Sequence, residues 1–424
     1  MDSKIQTPTG MEDILEEEWV FYEMIEKKAK EILKFYNFER IETPILEKKE
    51  LFLAGIGERS EVIQKEMFTL KTEGETELSL RPEGTVPICR AYIQRGMKEK
   101  SQPVKLWYFG PFFRHERPQA GRYRQFWQLG LEILGSKDPV LDAEVIQIFY
   151  QILKELKIED ILIHVNCLGD KNCRPYYKKS LTQYFKNKEK SLCKDCQRRL
   201  KENVLRILDC KDEKCQRIVS GAPQILDYLC EECKKFFEEF LEYLESISIP
   251  YQLNPYLVRG LDYYTKTVFE IFESGEKKLA LAGGGRYDDL IEILSKQSVP
   301  GTGGAMGVER LIEILKKKIK IPKEKKFLYL ACLGKNAKAK ALEILEILRK
   351  EKIECYFGLG KESLKSQLKL AEKFKVKFCL ILGQKEVLEN SIILKDMETG
   401  LQSTMKIEEA IKKLKQLIKK IQKT

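Results

Sequence analysis

Apolar residues recur at three- and four-residue intervals from Ile14 to Phe35, the period of one helix face, so an amphipathic helix is predicted there. The period then changes. "FERIETPILE", "MFTLKT", "ELSLRPE", "VKLWYFGPFFRHE" and "RQFWQLGLEILG" are short β-type runs divided by polar or glycine-containing turns. Strands joined by short loops pair antiparallel, whereas parallel pairing needs a long crossover, so an antiparallel sheet is expected and a dinucleotide-binding fold is not. "AEVIQIFYQILKEL" is again helical and "ILIHVNCLG" a strand. From about Asp170 to Ser246 the chain becomes charged, cysteine-rich and mostly helical, which reads as an insertion. The β pattern resumes in "YQLNPYLVRGLDYYTKTVFEIFE", "LALAGGGRYDDLIEIL" and "GTGGAMGVERLIEILKK". After the charged, proline-containing "KKIKIPKEKK", strand and helix alternate at short spacing, the pattern of a small α/β unit with a parallel or mixed sheet. The expected organisation is an α+β unit in two parts, 1–169 and 247–322, separated by the helical insertion 170–246 and followed by an α/β unit at 326–424.

Charge sharpens that division. The chain of 424 residues carries a net charge of +11, yet residues 326–424 hold 22 lysines and arginines against 12 acids. Nearly all of the excess therefore sits in the last unit. A polyanionic partner is expected for it, the alternative being lysine-rich solvated helix faces. No apolar run reaches the roughly 18 to 20 residues of a membrane span, and the first ten residues lack an apolar signal core. A soluble cytoplasmic protein is expected, with no membrane partner.

Candidate chemistry gathers in the β segments. "FFRHERPQAGRYRQF" places Arg114, Arg117, Arg122 and Arg124 around a "PQAG" turn, and its apolar flanks place the stems of this hairpin in a core sheet. Guanidinium presents a planar fork of donors matched to phosphate oxygens. The bland alternative is a surface loop paired to Glu116. "RPEGT" sets Glu83 and Thr85 on a rigid turn, and "LVRGLDYY" puts Arg259 beside Tyr263 and Tyr264. "AGGGRYD" strips side chains from three successive positions, and "GAMGVERL" leads a glycine-rich strand into a helix bearing Arg310. Neither the Walker nor the G-x-G-x-x-G pattern fits these glycines.

In their order along the chain, "RIETPILEKKELF", "RPEGT", "GPFFRHERPQAGRYRQF", "LVRGLDYY", "AGGGRYD" and "GAMGVERL" resemble the histidyl-tRNA synthetases, class II aminoacyl-tRNA synthetases, from about Gln6 onwards. The resemblance implies a class II antiparallel β-sheet catalytic domain with flanking helices and a C-terminal α/β anticodon-binding domain. It implies ATP-dependent activation of L-histidine, then transfer to the 3′ end of tRNA(His), by a homodimer using ATP and Mg²⁺. Arg259 and Arg114 are implied as the catalytic cations. Glu83, Thr85, Arg114, Gln128, Glu132, Arg259, Tyr263 and Tyr264 are implied to bind histidine. Arg114, Glu116 and Arg310 would meet ATP, and Arg117, Arg122 and Arg124 the acceptor end of the tRNA. Glu83 as a helix cap and Tyr263 or Tyr264 as core aromatics remain the structural alternatives. So does a functional one: the synthetase-like regulatory subunit of ATP phosphoribosyltransferase, which typically lacks the anticodon domain and some active-site residues.

Eight of the twelve cysteines lie between Cys167 and Cys233. Two C-x-x-C pairs, Cys193 with Cys196 and Cys230 with Cys233, are 33 residues apart, and Cys210 and Cys215 fall between them. The expectation is that the two pairs together supply four thiolates for a structural Zn²⁺. The alternative is reduced thiols packed as small apolar side chains.

Overall fold

The computed structural model describes residues 5–423 except 59, 120, 275–279, 321–326 and 362. The tip alanine Ala120, Leu279 at the head of the glycine-rich strand, and linker residues 321–326 thus lie outside the described residues. The chain divides into two units, 1–320 and 321–424.

In the first unit the changes of period seen in the sequence become one eight-stranded sheet. Its strands are β1 (Glu39–Arg40), β2 (Val104–Phe113), β3 (Gln125–Leu134), β4 (Ile161–Cys167), β5 (Gln252–Leu253), β6 (Thr265–Glu273), β7 (Ala280–Arg286) and β8 (Gly301–Gly307). They lie in the order β1-β2-β3-β8-β7-β6-β4-β5. The six inner strands are antiparallel as expected. The two-residue edge strands β1 and β5 pair parallel with their neighbours, which makes the sheet mixed. "MFTLKT" and "ELSLRPE" do not join it: with Leu46–Lys48 they form a separate three-stranded sheet.

Side chains alternate between the two faces of a strand, and here the faces differ in kind. One face carries Trp107, Leu129, Leu131, Met306, Phe269, Ile271 and Val165, all buried. It packs on the helix Val140–Glu155, where Phe149 meets Phe269 with ring centroids 6.1 Å apart. The helix Glu16–Phe35 packs on the same face through Trp19 and Tyr22, whose rings meet Trp127 on β3. The other face is polar and holds the site described below. The cysteine-rich segment between β4 and β5 contributes the helices Arg174–Lys186, Lys194–Glu202, Glu213–Val219 and Glu231–Ser246.

The end of β7 is secured by a buried charge. Arg286 is fully buried; it donates to Asp142 (2.9 Å) and Asp288 (3.1 Å) and to the carbonyls of Ser136 (3.0 Å) and Asp138 (2.9 Å). This motif arginine ties the sheet to the start of the helix Val140–Glu155 and is not part of the polar face.

The second unit has a five-stranded sheet in the order Cys355–Phe357, Leu328–Cys332, Phe378–Leu382, Ser391–Asp396, Gln402–Lys406. Its first three strands are parallel and its last two antiparallel. Leu328–Cys332 and Phe378–Leu382 are buried throughout, which explains their unbroken apolar runs. Buried Gln367 staples a flanking helix to this sheet by bonding both the N–H (3.0 Å) and the carbonyl (2.7 Å) of Cys332.

Asp142→Ala removes one of the two carboxylates on buried Arg286 and leaves it Asp288, the loss of one charged hydrogen bond, which typically costs about 1.5–3 kcal/mol. Urea unfolding of the variant is expected to show a loss of that size; a loss below about 1 kcal/mol would remove Arg286 as the clamp.

Candidate active site

Three cross-strand pairs shape the polar face, and each sets a large side chain against a glycine. Tyr108 on β2 faces Gly130 on β3, Glu132 on β3 faces Gly303 on β8, and Glu270 on β6 faces Gly283 on β7. A Cβ on Gly130 would lie 2.1 Å from the Tyr108 ring, and one on Gly303 would lie 1.9 Å from Glu132 Oε2. A Cβ on Gly283 would come within 2.6 Å of Arg259 Nη1. No other residue fits these positions while the polar groups stay where they are.

Glu132 is fully buried, and its two oxygens are bonded from different parts of the chain. Thr85 Oγ1 donates to Oε1 (2.8 Å), and the Tyr287 hydroxyl donates to Oε2. Glu83 is buried beside it. Its Oε2 accepts from the Thr85 N–H (2.8 Å) and the Tyr263 hydroxyl (3.1 Å), and its Oε1 accepts from the Val86 N–H (2.8 Å). Desolvation pushes both carboxyl groups above the usual carboxylate range, Glu132 strongly, against the pull of these bonds. "RPEGT" is therefore more than the rigid turn expected: Thr85 begins the helix Thr85–Gln94, and Glu83 serves its first N–H groups while facing the pocket. Tyr263, Tyr264 and Tyr287 close the wall, with Tyr263 and Tyr264 centroids 4.6 Å apart and Tyr263 and Tyr287 5.8 Å apart. Gln128 lies on the same face, and its buried Oε1 has no hydrogen-bond partner.

Arginines gather next to this pocket. Arg259 forms an ion pair with Glu270 and its guanidinium lies 5.9 Å from the Tyr264 ring centroid. Burial works against its charge, and Glu270 more than restores it. Arg114 donates from Nε to the Pro82 carbonyl (2.8 Å), and Arg310 donates to the carbonyls of Gly121 (3.1 Å) and Ala280 (2.5 Å). Desolvation lowers the pKa of Arg310, and Arg122, Arg114 and Arg259 lower it further. Glu116 offsets this only in part, and three cations close enough to oppose the charge of Arg310 make a place for a polyanion.

The hairpin arginines divide. Arg122 pairs with Glu116 (3.4 Å), which also lies 3.7 Å from Arg114. Arg124 donates from Nε to the Glu116 carbonyl (3.3 Å), while its own N–H donates to the Gly10 carbonyl (2.7 Å). Arg117 is exposed. His115 is exposed as well, its ring edge-on to Phe68 at 5.4 Å, a support for the hairpin base.

The structure thus brings Glu83, Thr85, Glu132, Tyr263 and Tyr264 into one pocket beside Arg114, Arg259 and Arg310, with Gln128 on the same sheet face four residues before Glu132. Tyr108, Glu270 and Tyr287 were not anticipated. For Glu270 the signal was a charge between apolar neighbours in the middle of the strand "TVFEIFE"; Tyr287 stood beside the motif arginine, where only the fold separates a clamp from a pocket wall.

The zinc expectation needs correction. Cys193, Cys196, Cys230 and Cys233 do not form one site: the pairs open the helices Lys194–Glu202 and Glu231–Ser246, and the packing of these helices sets each pair beside other partners. Cys193 and Cys196 meet Cys210 and Cys215, whereas Cys230 and Cys233 meet Asp170 and Cys173.

Residues 10–311 match the family model described as histidyl-tRNA synthetase, and residues 328–417 match the anticodon binding domain. The chain belongs to the histidyl-tRNA synthetase family. It is 43% identical over 417 residues to a histidine–tRNA ligase of Halothermothrix orenii, covering 98% of this chain and 100% of that one. It is 44% identical over 397 residues to that of Thermosipho melanesiensis, covering 93% and 94%. The crystal structure of apo S. aureus histidyl-tRNA synthetase superposes with a TM-score of 0.75 at 34% identity, over 96% of this chain and 99% of that one. An ATP phosphoribosyltransferase regulatory subunit/histidyl-tRNA synthetase from Bacillus halodurans shares the fold at 21% identity, with a TM-score of 0.61 over 90% and 98%.

Within this histidyl-tRNA synthetase fold, Glu309 is a further, partly buried acid that the sequence did not flag. It accepts from the Trp127 N–H (2.7 Å) and the Tyr22 hydroxyl (3.3 Å), joining the first helix to the hairpin stem. Desolvation raises its pKa from 4.5 to about 7. Between those values the folded chain holds a proton that the unfolded chain has lost, so this group's contribution to stability falls as pH rises and levels off above about 7. Glu309→Gln keeps a carbonyl acceptor and removes the titration. The variant is expected to gain about 2.5 kcal/mol on wild type between pH 5 and pH 8. Unfolding midpoints that shift equally at both pH values would refute the assignment.

Proposed function

We propose that the protein joins L-histidine to ATP as histidyl-adenylate and transfers the histidyl group to the 3′ end of tRNA(His). The observation that carries this reading is a buried, glycine-floored pocket of two carboxyl groups and three phenols next to Arg114, Arg259 and Arg310, with Arg122 close by. The full-length likeness to histidine–tRNA ligases supports it.

Histidine offers an ammonium, a carboxylate and an imidazole with one donor and one acceptor nitrogen when neutral. In this reading Glu83, Thr85 and Gln128 take the ammonium, for which the unpartnered Gln128 Oε1 is suited. Glu132 accepts the imidazole N–H, and the tyrosine hydroxyls serve the other nitrogen. An amino acid without those hydrogen bonds would leave buried polar groups unpaired, the kind of penalty that gives discrimination of about 10⁴-fold or more. In the first step the histidine carboxylate attacks the α-phosphorus; the new O–P bond forms as the bond to pyrophosphate breaks. Arg114 and Arg259 stabilise charge on the reacting oxygens, Arg310 that on the departing pyrophosphate, and Glu116 contacts the nucleotide. In the second step a terminal ribose hydroxyl of the tRNA attacks the histidyl carbonyl carbon, and AMP leaves.

Among the described residues, groups of three or more potential metal-ligating side chains occur only in the cysteine-rich segment. Mg²⁺ enters this scheme on the phosphates of ATP, with one or two carboxylates at most from the protein, its common mode of binding. Residues 170–246 act as an insertion between the two catalytic parts 1–169 and 247–322, and the basic unit 326–424 meets the anticodon stem. Exposed Ile45, Leu46 and Leu70 on and beside the small sheet form the homodimer contact. No described helix is long and apolar enough to cross a membrane; a cytoplasmic site is part of the proposal. The regulatory-subunit alternative is disfavoured by the anticodon-domain match and by the presence of Arg114, Arg259 and Arg310.

Histidine-dependent ATP–pyrophosphate exchange tests the reaction, and no exchange with histidine would end this reading. Arg259→Ala is expected to lower exchange by about 10²- to 10³-fold with the sedimentation coefficient of a dimer unchanged. Near-normal exchange would overturn the role of Arg259, and a monomer at micromolar concentration the homodimer. Arg117→Ala should weaken tRNA charging more than exchange and reduce the salt dependence of tRNA binding by about one unit of slope. Equal losses in both assays would move Arg117 from the tRNA to ATP.

A further inference from the structure

The inserted segment contains a cluster that the proposed reaction leaves unused. Cys193 and Cys196 come from the start of the helix Lys194–Glu202, and Cys210 and Cys215 from the turn before and the first turn of the helix Glu213–Val219. Their four sulfur atoms lie within 4.8 Å of one another. Cys193 and Cys210 are 3.9 Å apart, close to the roughly 3.8 Å separation implied by a tetrahedron with Zn–S bonds of about 2.3 Å. Two backbone N–H groups point at sulfur: Cys193 N–H at Cys215 Sγ (3.3 Å) and Cys196 N–H at Cys193 Sγ (3.5 Å). Such donors stabilise negative charge on ligating sulfur and orient it.

We propose that Cys193, Cys196, Cys210 and Cys215 bind one structural Zn²⁺. The spacing now reads C-x-x-C, 13 residues, then C with four residues before the next C, within the usual range for closed four-thiolate sites. Three of the four side chains are buried, so no position is left open for substrate, and the ion is structural. The other cluster is a weaker ligand set. Asp170 already accepts from the N–H groups of Asn172 (2.8 Å) and Cys173 (3.2 Å) as a local turn at the start of a helix.

The residues strung between the two ligand pairs touch the site. Arg199 donates to Glu61 (2.7 Å and 3.1 Å) and to the Arg206 carbonyl (3.2 Å). Arg206 donates to the carbonyl of Arg259 (2.9 Å), and Asn203 to the Asp262 carboxylate (3.0 Å). Zinc closes the loop 193–215 and so holds the segment that grips the Arg259 loop from both sides. Cys193, Cys196, Cys210 and Cys215 are thereby positioning residues, acting through Asn203 and Arg206. This second part rests on the proposed reaction; zinc binding does not.

The test is metal analysis of full-length protein purified with zinc supplied and without chelators. Wild type is expected to lose one equivalent of zinc when its thiols are titrated with a mercurial, read with a chromophoric chelator. The pair Cys210→Ser and Cys215→Ser is expected to lack that equivalent, whereas Cys173→Ser with Cys230→Ser keeps it. Trypsin should cut within 194–214 sooner in the zinc-free protein, and exchange kcat should fall about tenfold. Well under one zinc in wild type, iron in its place, or loss only with the Cys173 and Cys230 changes would overturn the site. Zinc lost with kcat and proteolysis unchanged would overturn the positioning role alone. Because wild type is titrated directly, misfolding of a serine variant leaves the zinc measurement decisive.

Discussion

The first unit depends on satisfying a carboxyl group inside a sheet. Glu132 is wholly buried on β3, and a buried polar group without partners costs several kcal/mol. Its partners are Thr85 at a helix start and Tyr287 just beyond β7, with Gly303 supplying the room. Those residues are far apart in the chain, so meeting the needs of one side chain fixes a helix, a strand end and a glycine-bearing strand relative to one another. Glu83 extends the arrangement by serving the same helix start while sharing Tyr263 with the pocket. A pocket held by such bonds is ordered before any ligand arrives, which is what electrostatic preorganisation requires.

Charge on the arginine side is arranged by the same means and with the opposite balance. Arg114 and Arg310 are held by backbone carbonyls, and Arg259 by Glu270. Carbonyls orient a guanidinium without neutralising it, so Arg310 still opposes Arg114, Arg122 and Arg259. Under the proposed reaction this residual repulsion is relieved by the triphosphate. The contrast with Arg286 is instructive: it meets two carboxylates in the interior and is spent on holding the fold.

The cysteine-rich segment is tied to that cluster through Arg206 and Asn203, so it bears on the position of Arg259 without contributing a side chain to the pocket. Its short helices pack on the core of the first unit through Leu181, Phe185, Leu200 and Ile207, and a metal cross-link between short helices adds further order. Zinc held by the proposed cysteines within the segment would provide that cross-link.

By itself the sequence determined the kinds of element, their order, and which short stretches carry chemistry. Hydrophobic period is a local property, so the first helix, the hairpin stems, the helical segment and the α/β alternation of the last unit could be read directly. The resemblance of the motifs named the family because arginine forks and glycine gaps stand close to one another in the chain. Only the tertiary structure decided what depends on distant neighbours. Strand register put Gly303 opposite Glu132 and Gly283 opposite Glu270, giving glycines that the sequence showed only as bare strand positions their place as pocket floor. Folding separated Arg286, a clamp, from Tyr287, a pocket wall, though they are adjacent in sequence. It also divided the two C-x-x-C pairs, because each begins its own helix and helix packing, not spacing along the chain, chooses the partners of a thiol.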